Sequence, residues 1–135
     1  MNLGQIFVEV VTISTVTPVY RGALYLRDLA AAIDAERQAW EAAELPVRLQ
    51  EAIFVDDGST DGSDQVLAEL STTYSWLHVI SLSRNFGQHP ATIAGLLHTS
   101  GDWVITLDED LQHRPDAFLT LLGEAIRQRA DLVYA

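Results

Sequence analysis

The chain has 135 residues, 48% of them hydrophobic, enough to bury a core and suited to one domain or part of one. Its formal charge of −11 argues against a nucleic-acid partner, because neutralising phosphates needs a basic surface. There is no cysteine and all eight basic residues are arginine, which excludes disulfides, thiolate nucleophiles, cysteine zinc sites, P-loop lysines and Schiff bases.

Phe7 to Val16 is rich in β-branched residues and reads as a buried strand that Thr17-Pro18 stops. Leu24 to Ala43 carries Leu26, Leu29, Ala30, Ile33, Arg37 and Trp40 at helical spacing, and Pro46 closes that region. Its charged tail, Asp34 to Glu44, reads as a solvated face. Leu49 to Val55 is a second strand running into Asp-Asp-Gly-Ser-Thr-Asp-Gly-Ser. A helix from Asp64 to Leu70 follows, with Ser59, Thr60 or Asp61 as its N-cap. Leu77 to Leu82 is a third strand, Pro90 to His98 a third helix and Trp103 to Leu107 a fourth strand. Pro115 suits the first position of a fourth helix ending near Arg129, and a fifth strand starts at Asp131. No apolar run reaches the ~18 residues of a membrane-crossing helix, and no leader peptide is visible.

Strands that are apolar throughout and alternate with helices indicate an α/β fold, a mostly parallel sheet covered by helices on both faces. Ligands of such sheets bind beyond the carboxyl ends of the strands. Four polar clusters fall there: Pro18 to Arg21, Asp56 to Asp61, Ser83 to His89 and Asp108 to Gln112. In extended chain, Asp108, Asp110 and Gln112 share one side and Glu109 takes the other. Two carboxylates and an amide oxygen on one side suit a hard cation, Mg2+ or Mn2+; the bland alternative is a solvated acidic loop. Three adjacent acids repel one another unless a cation lies among them. The doubled Asp56-Asp57 exceeds what a turn requires, and a carboxylate there suits a nucleobase N–H or a ribose hydroxyl. Arg84 suits a phosphate or a base carbonyl. The histidines show no metal-ligand spacing, and His113 is the one to test. Trp40, Trp76 and Trp103 read as packing residues.

Taken in order, these motifs resemble the family 2 glycosyltransferases of GT-A fold, nearest the branch of dolichyl-phosphate mannose synthases and bacterial polyprenyl-phosphate sugar transferases. The matching stretches are Thr17-Pro18-Val19-Tyr20, Ile53 to Ser63, Leu82 to Gln88, Ala94-Gly95-Leu96, Gly101-Asp102 and Leu107 to Gln112. The resemblance implies that Pro18 and Tyr20 line a nucleotide pocket. Asp57 with Asp56 would hold the base, and Arg84 and its loop would lie along the nucleotide. Asp108, Asp110 and Gln112 would hold Mg2+ or Mn2+ on the diphosphate of a UDP- or GDP-sugar.

The implied reaction is sugar transfer with inversion, to a polyprenyl-phosphate or glycan acceptor in cell-envelope synthesis. The implied place is the cytoplasm or the cytoplasmic face of a membrane, with membrane contact only through parts beyond residue 135. Two departures stand out. Many members carry Asn-Glu after the tyrosine, where this chain has Arg21-Gly22, so any contact from that acid is lost or replaced. The family's base lies on a later half, so residues 1–135 are expected to be one incomplete domain that binds nucleotide without turnover and self-associates through an uncovered apolar edge. Two other readings stay open. A sugar nucleotidyltransferase usually needs a Gly-rich loop and a lysine, and a truncated nucleotide-binding module would keep the metal site alone.

Overall fold

The computed structural model describes residues 10–109 and 115–129. The first nine residues, the expected fifth strand, and Asp110, Gln112 and His113 lie outside the described residues. Among the described residues four strands alternate with helices: β1 (Val11–Val19), α1 (Leu26–Ala42), β2 (Val47–Asp56), α2 (Ser63–Thr73), β3 (Leu77–Ser81), α3 (Gln88–Leu96), β4 (Trp103–Thr106), a 3-10 turn (Pro115–Ala117) and α4 (Phe118–Arg127). The strands form one parallel sheet in the order β3-β2-β1-β4. The fold is the α/β sheet expected.

Packing divides the sheet into two faces. Ile13, Val19, Ala52 and Phe54 join α1, α2 and α4 in the larger core, with Leu26, Leu29, Leu67, Phe118 and Leu122. Trp40 is buried there, its ring 6.3 Å from that of Phe118. The opposite face is covered by α3, whose Ala91 and Ala94 pack on Ile53 and Val55. A small residue is required at the closest point. A Cβ at Gly95 would lie 2.4 Å from Val16 Cγ1 and 3.1 Å from Val55 Cγ2.

The first strand does not stop at Thr17-Pro18. It continues to Val19, and Pro18 pairs in register with Val55. The reason is the direction of the missing donor. Val19 O accepts from Asp57 N on the β2 side, whereas Val16 O accepts from Leu107 N on the β4 side. Even-numbered residues of this stretch therefore turn their backbone groups toward β4, which ends at Thr106. Proline at 18 removes a donor from the side where the paired strand has already finished. Two helix starts also differ from expectation. Pro115 opens a 3-10 turn and the α-helix begins at Phe118. The residue capping α2 is Gly62, at φ +89°, while Asp61 serves the first turn from one position further out by accepting from Ser63 N at 3.2 Å.

Thr15 and Thr17 stand in the centre of β1, fully buried, and neither hydroxyl has a hydrogen-bond partner among the described residues. Burying an unpaired hydroxyl costs free energy that an isosteric methyl does not. Thr15→Val is therefore expected to raise stability by about 1 kcal/mol, read as a higher urea midpoint with unchanged slope. A lower midpoint would show that the hydroxyl is satisfied after all.

Candidate functional site

The sheet order reverses beside β1. The chain steps outward through β2 and β3, then returns to place β4 on the other flank of β1. The carboxyl ends at such a reversal diverge and leave a crevice. A cleft of about 450 Å³ opens there, lined by Pro18, Val19 and Tyr20 after β1 and by Asp57 after β2. Asn85, Gly87 and Gln88 before α3, and Asp108 and Glu109 after β4, complete the lining.

Asp57 organises the floor. It is 2% exposed, and its carboxylate accepts from Phe86 N at 2.8 Å, Gly87 N at 3.0 Å and Asn85 Nδ2 at 3.3 Å. These bonds fix the loop that enters α3. The loop also lies directly on Gly58, where an added Cβ would stand 2.5 Å from Asn85 N. Asp56 is buried as well, and its Oδ1 accepts from Ser59 N at 3.0 Å, closing the turn after β2.

That turn in turn holds the loop after β1. Arg21 N donates to Ser59 Oγ at 3.0 Å and Ala23 N donates to Asp61 Oδ2 at 3.2 Å. Burial works against charge on Asp61. The bonds from the Ser63 hydroxyl and from the Ala23 and Ser63 amides outweigh it and hold the carboxyl below the usual range.

The expected site residues divide accordingly. Pro18, Tyr20, Asp57 and Asp108 come together around the cleft, while Asp56 lies in the turn behind it. Arg84 is outside the lining, with its guanidinium 4.6 Å from the centre of the exposed Phe86 ring. Asp110 and Gln112 lie outside the described residues. Glu109 differs from the reading by alternation. The strand ends at Thr106, Glu109 sits in a turn, and it lines the cleft beside Asp108. Asp108 and Glu109 offer hard oxygen donors of the kind Mg2+ or Mn2+ takes, although no group of three ligating side chains occurs among the described residues. Gln88 reaches across from α3, its Nε2 3.5 Å from Asp108 Oδ1.

The glycosyl transferase family 2 pattern matches residues 14–135. The chain belongs to glycosyl transferase family 2. Solved structures share the α/β fold seen here. One is a mannosyltransferase, PcManGT from Pyrobaculum calidifontis, in complex with GDP-Man and Mn2+. It superposes with a TM-score of 0.67 at 21% identity, over 84% of this chain and 32% of that one. Another is S. aureus TarS, with a TM-score of 0.66 at 21% identity over 87% of this chain and 33% of its own. TarS in complex with UDP-GlcNAc gives 0.65 at 21% identity, over 87% and 32%. The chain thus spans about a third of the length of these structural neighbours. Among the described residues, no helix is long and apolar enough to cross a membrane.

Two buried carboxylate clusters escape sequence reasoning, one at the site and one away from it. The clamping role of Asp57 depends on two amides 29 and 30 residues away, which only the fold brings to it. A third buried carboxylate, Glu51, lies at the other end of the sheet. It accepts from Ser14 Oγ at 2.9 Å and from Ser100 N and Oγ at 2.8 and 2.9 Å. Gly101 N completes the group by donating to Ser14 Oγ at 2.8 Å.

Proposed function

We propose that these residues are the donor-binding part of an inverting glycosyltransferase domain, which holds a nucleoside-diphosphate sugar in the cleft at the strand ends. The observation that carries the reading is the convergence of all four strand ends, with Tyr20, Asp57 and Asp108, on one crevice at the reversal of a family 2 sheet. Tyr20 and Pro18 form an amphipathic wall suited to a base or ribose. Asp57 shapes the floor, and Arg84 lies on the loop entering α3, where its charge suits phosphate. Asp108, with Asp110 and Gln112, would hold Mg2+ or Mn2+; such a cation neutralises charge on a diphosphate leaving group. A bound GDP-sugar and a UDP-sugar in the two neighbours support either nucleotide, and Mn2+ in one of them supports the cation. The acceptor in this reading is a polyprenyl phosphate or glycan of the cell envelope. No catalytic base is assigned to these residues, so donor binding rather than turnover is their part of the reaction.

Titration of the chain with UDP and with GDP tests this. Binding should require Mn2+ and should be lost in Asp110→Ala. Equal binding in that variant, or binding indifferent to the metal, would sink the reading.

A further inference from the structure

We propose that Glu109 is a positioning residue that props the β1–α1 loop beside the cleft, and that Gly22 is the seat its stem requires. The role rests on the donor-binding reading, because the loop it supports carries Tyr20.

Gly22 is buried, and its φ lies outside the left-handed region, so backbone conformation does not demand glycine there. The demand comes from Glu109. A Cβ at position 22 would stand 2.6 Å from Glu109 Cγ and 3.2 Å from Glu109 Cβ. Cβ is fixed by the backbone and Cγ moves only by a change of χ1 rotamer that would carry the whole side chain off the loop, so neither yields as a carboxylate tip can. Glycine at 22 thus lets the Glu109 stem cross the loop in contact with its backbone.

The loop is held from its opposite side by Ser59 and Asp61, through the amides of Arg21 and Ala23. It turns sharply at Arg21, φ +59°, and closes on itself through Tyr25 N donating to Gly22 O at 2.9 Å. Two opposed supports therefore fix it, polar from the β2 side and aliphatic from the β4 side. Tyr20, at the head of this loop and 44% exposed, and Glu109 both line the cleft. Their spacing sets the width of the crevice between the ends of β1 and β4.

A double-mutant cycle on the whole chain reads this coupling. Gly22→Ala and Glu109→Ala should each weaken Mn2+-dependent UDP or GDP binding, Gly22→Ala by about tenfold. The double variant should bind about as well as Glu109→Ala alone, because Cγ, the atom at 2.6 Å, is gone and only the milder approach to Cβ at 3.2 Å remains. Losses that simply multiply would overturn the proposal. Glu109→Gln keeps the stem and should retain clearly more binding than Glu109→Ala, whereas a loss as large as that of Glu109→Ala would make the carboxylate the working part and the prop wrong. Amide exchange of residues 20–25 in the nucleotide-free chain should speed up in Glu109→Ala and not in Glu109→Gln; no change in either would also overturn it. If the unmodified chain binds neither nucleotide, the donor-binding reading fails, and the exchange measurement still decides the prop.

Discussion

Gly58→Ala should be the most damaging single methyl that can be added near the cleft. Two independent penalties meet there. The residue sits at φ +73°, where an L side chain costs about 1–2 kcal/mol. The new Cβ would also stand 2.5 Å from Asn85 N and 2.6 Å from Arg84 C, both backbone atoms of the loop entering α3. Backbone cannot rotate away, and Asp57 holds that loop from beneath through the Phe86 and Gly87 amides. Overpacking of this kind costs a further ~1–3 kcal/mol, so the total loss is roughly 2–5 kcal/mol. Gly62→Ala supplies the comparison. It shares a positive φ, +89°, but nothing lies within 4 Å of its added Cβ. Urea unfolding of the two variants separates strain from clash: Gly62→Ala should show the conformational penalty alone. Equal losses would mean that the 84–85 loop yields freely, and would weaken the case for a rigid cleft floor.

Glu51→Ala should come close in size, at the far end of the sheet. The variant leaves Ser14 Oγ, Ser100 N and Ser100 Oγ without their shared acceptor, in a place where Ser14 is fully buried and Glu51 is 6% exposed. Hydrogen bonds to a charged group and the cost of orphaned donors give a loss of roughly 2–5 kcal/mol. Glu51→Gln keeps the volume and one acceptor oxygen, so it should fall between alanine and the native residue. Denaturation midpoints in that order support the network, with faster amide exchange at Ser100 and Gly101 as the local signature. Glutamine as harmful as alanine would show that the negative charge itself matters more than the count of acceptors.

Much of this architecture was legible in the residues. Apolar strands alternating with helices implied a parallel sheet, and a parallel sheet implied a site at the carboxyl ends. Pro18, Tyr20, Asp57 and Asp108 could be grouped from that logic. What stayed hidden has specific causes. Pro18 reads as a strand stop unless the strand order is known, because only the order shows that its missing N–H faces past the end of β4. Glu51 reads as one more residue of a strand because a register shift precedes it. Ile13 pairs with Leu49 but Ser14 pairs with Glu51, so Gln50 is the extra residue and Glu51 moves onto the Ser14 side. Without that bulge Gln50 would stand beside Ser14. Period-two counting cannot see an insertion of one, and the same counting misplaces Glu109, which lies in a turn rather than in a strand.

Asp57 and Glu51 take on a joint meaning when α3 is viewed as a mechanical part. Both belong to β2 or its immediate continuation. One grips the chain just before the helix, at Phe86 and Gly87, and the other grips it just after, at Ser100. Between them Gly95 rests on Val16 and Val55 with no room beneath it. The helix is thus bolted at both ends and bears on the sheet in the middle. It can neither slide along the strands nor rock across them while those three points hold. The jaw that Gly87 and Gln88 contribute to the cleft is thus held through the whole length of α3, from Asp57 at its start to Glu51 beyond its end.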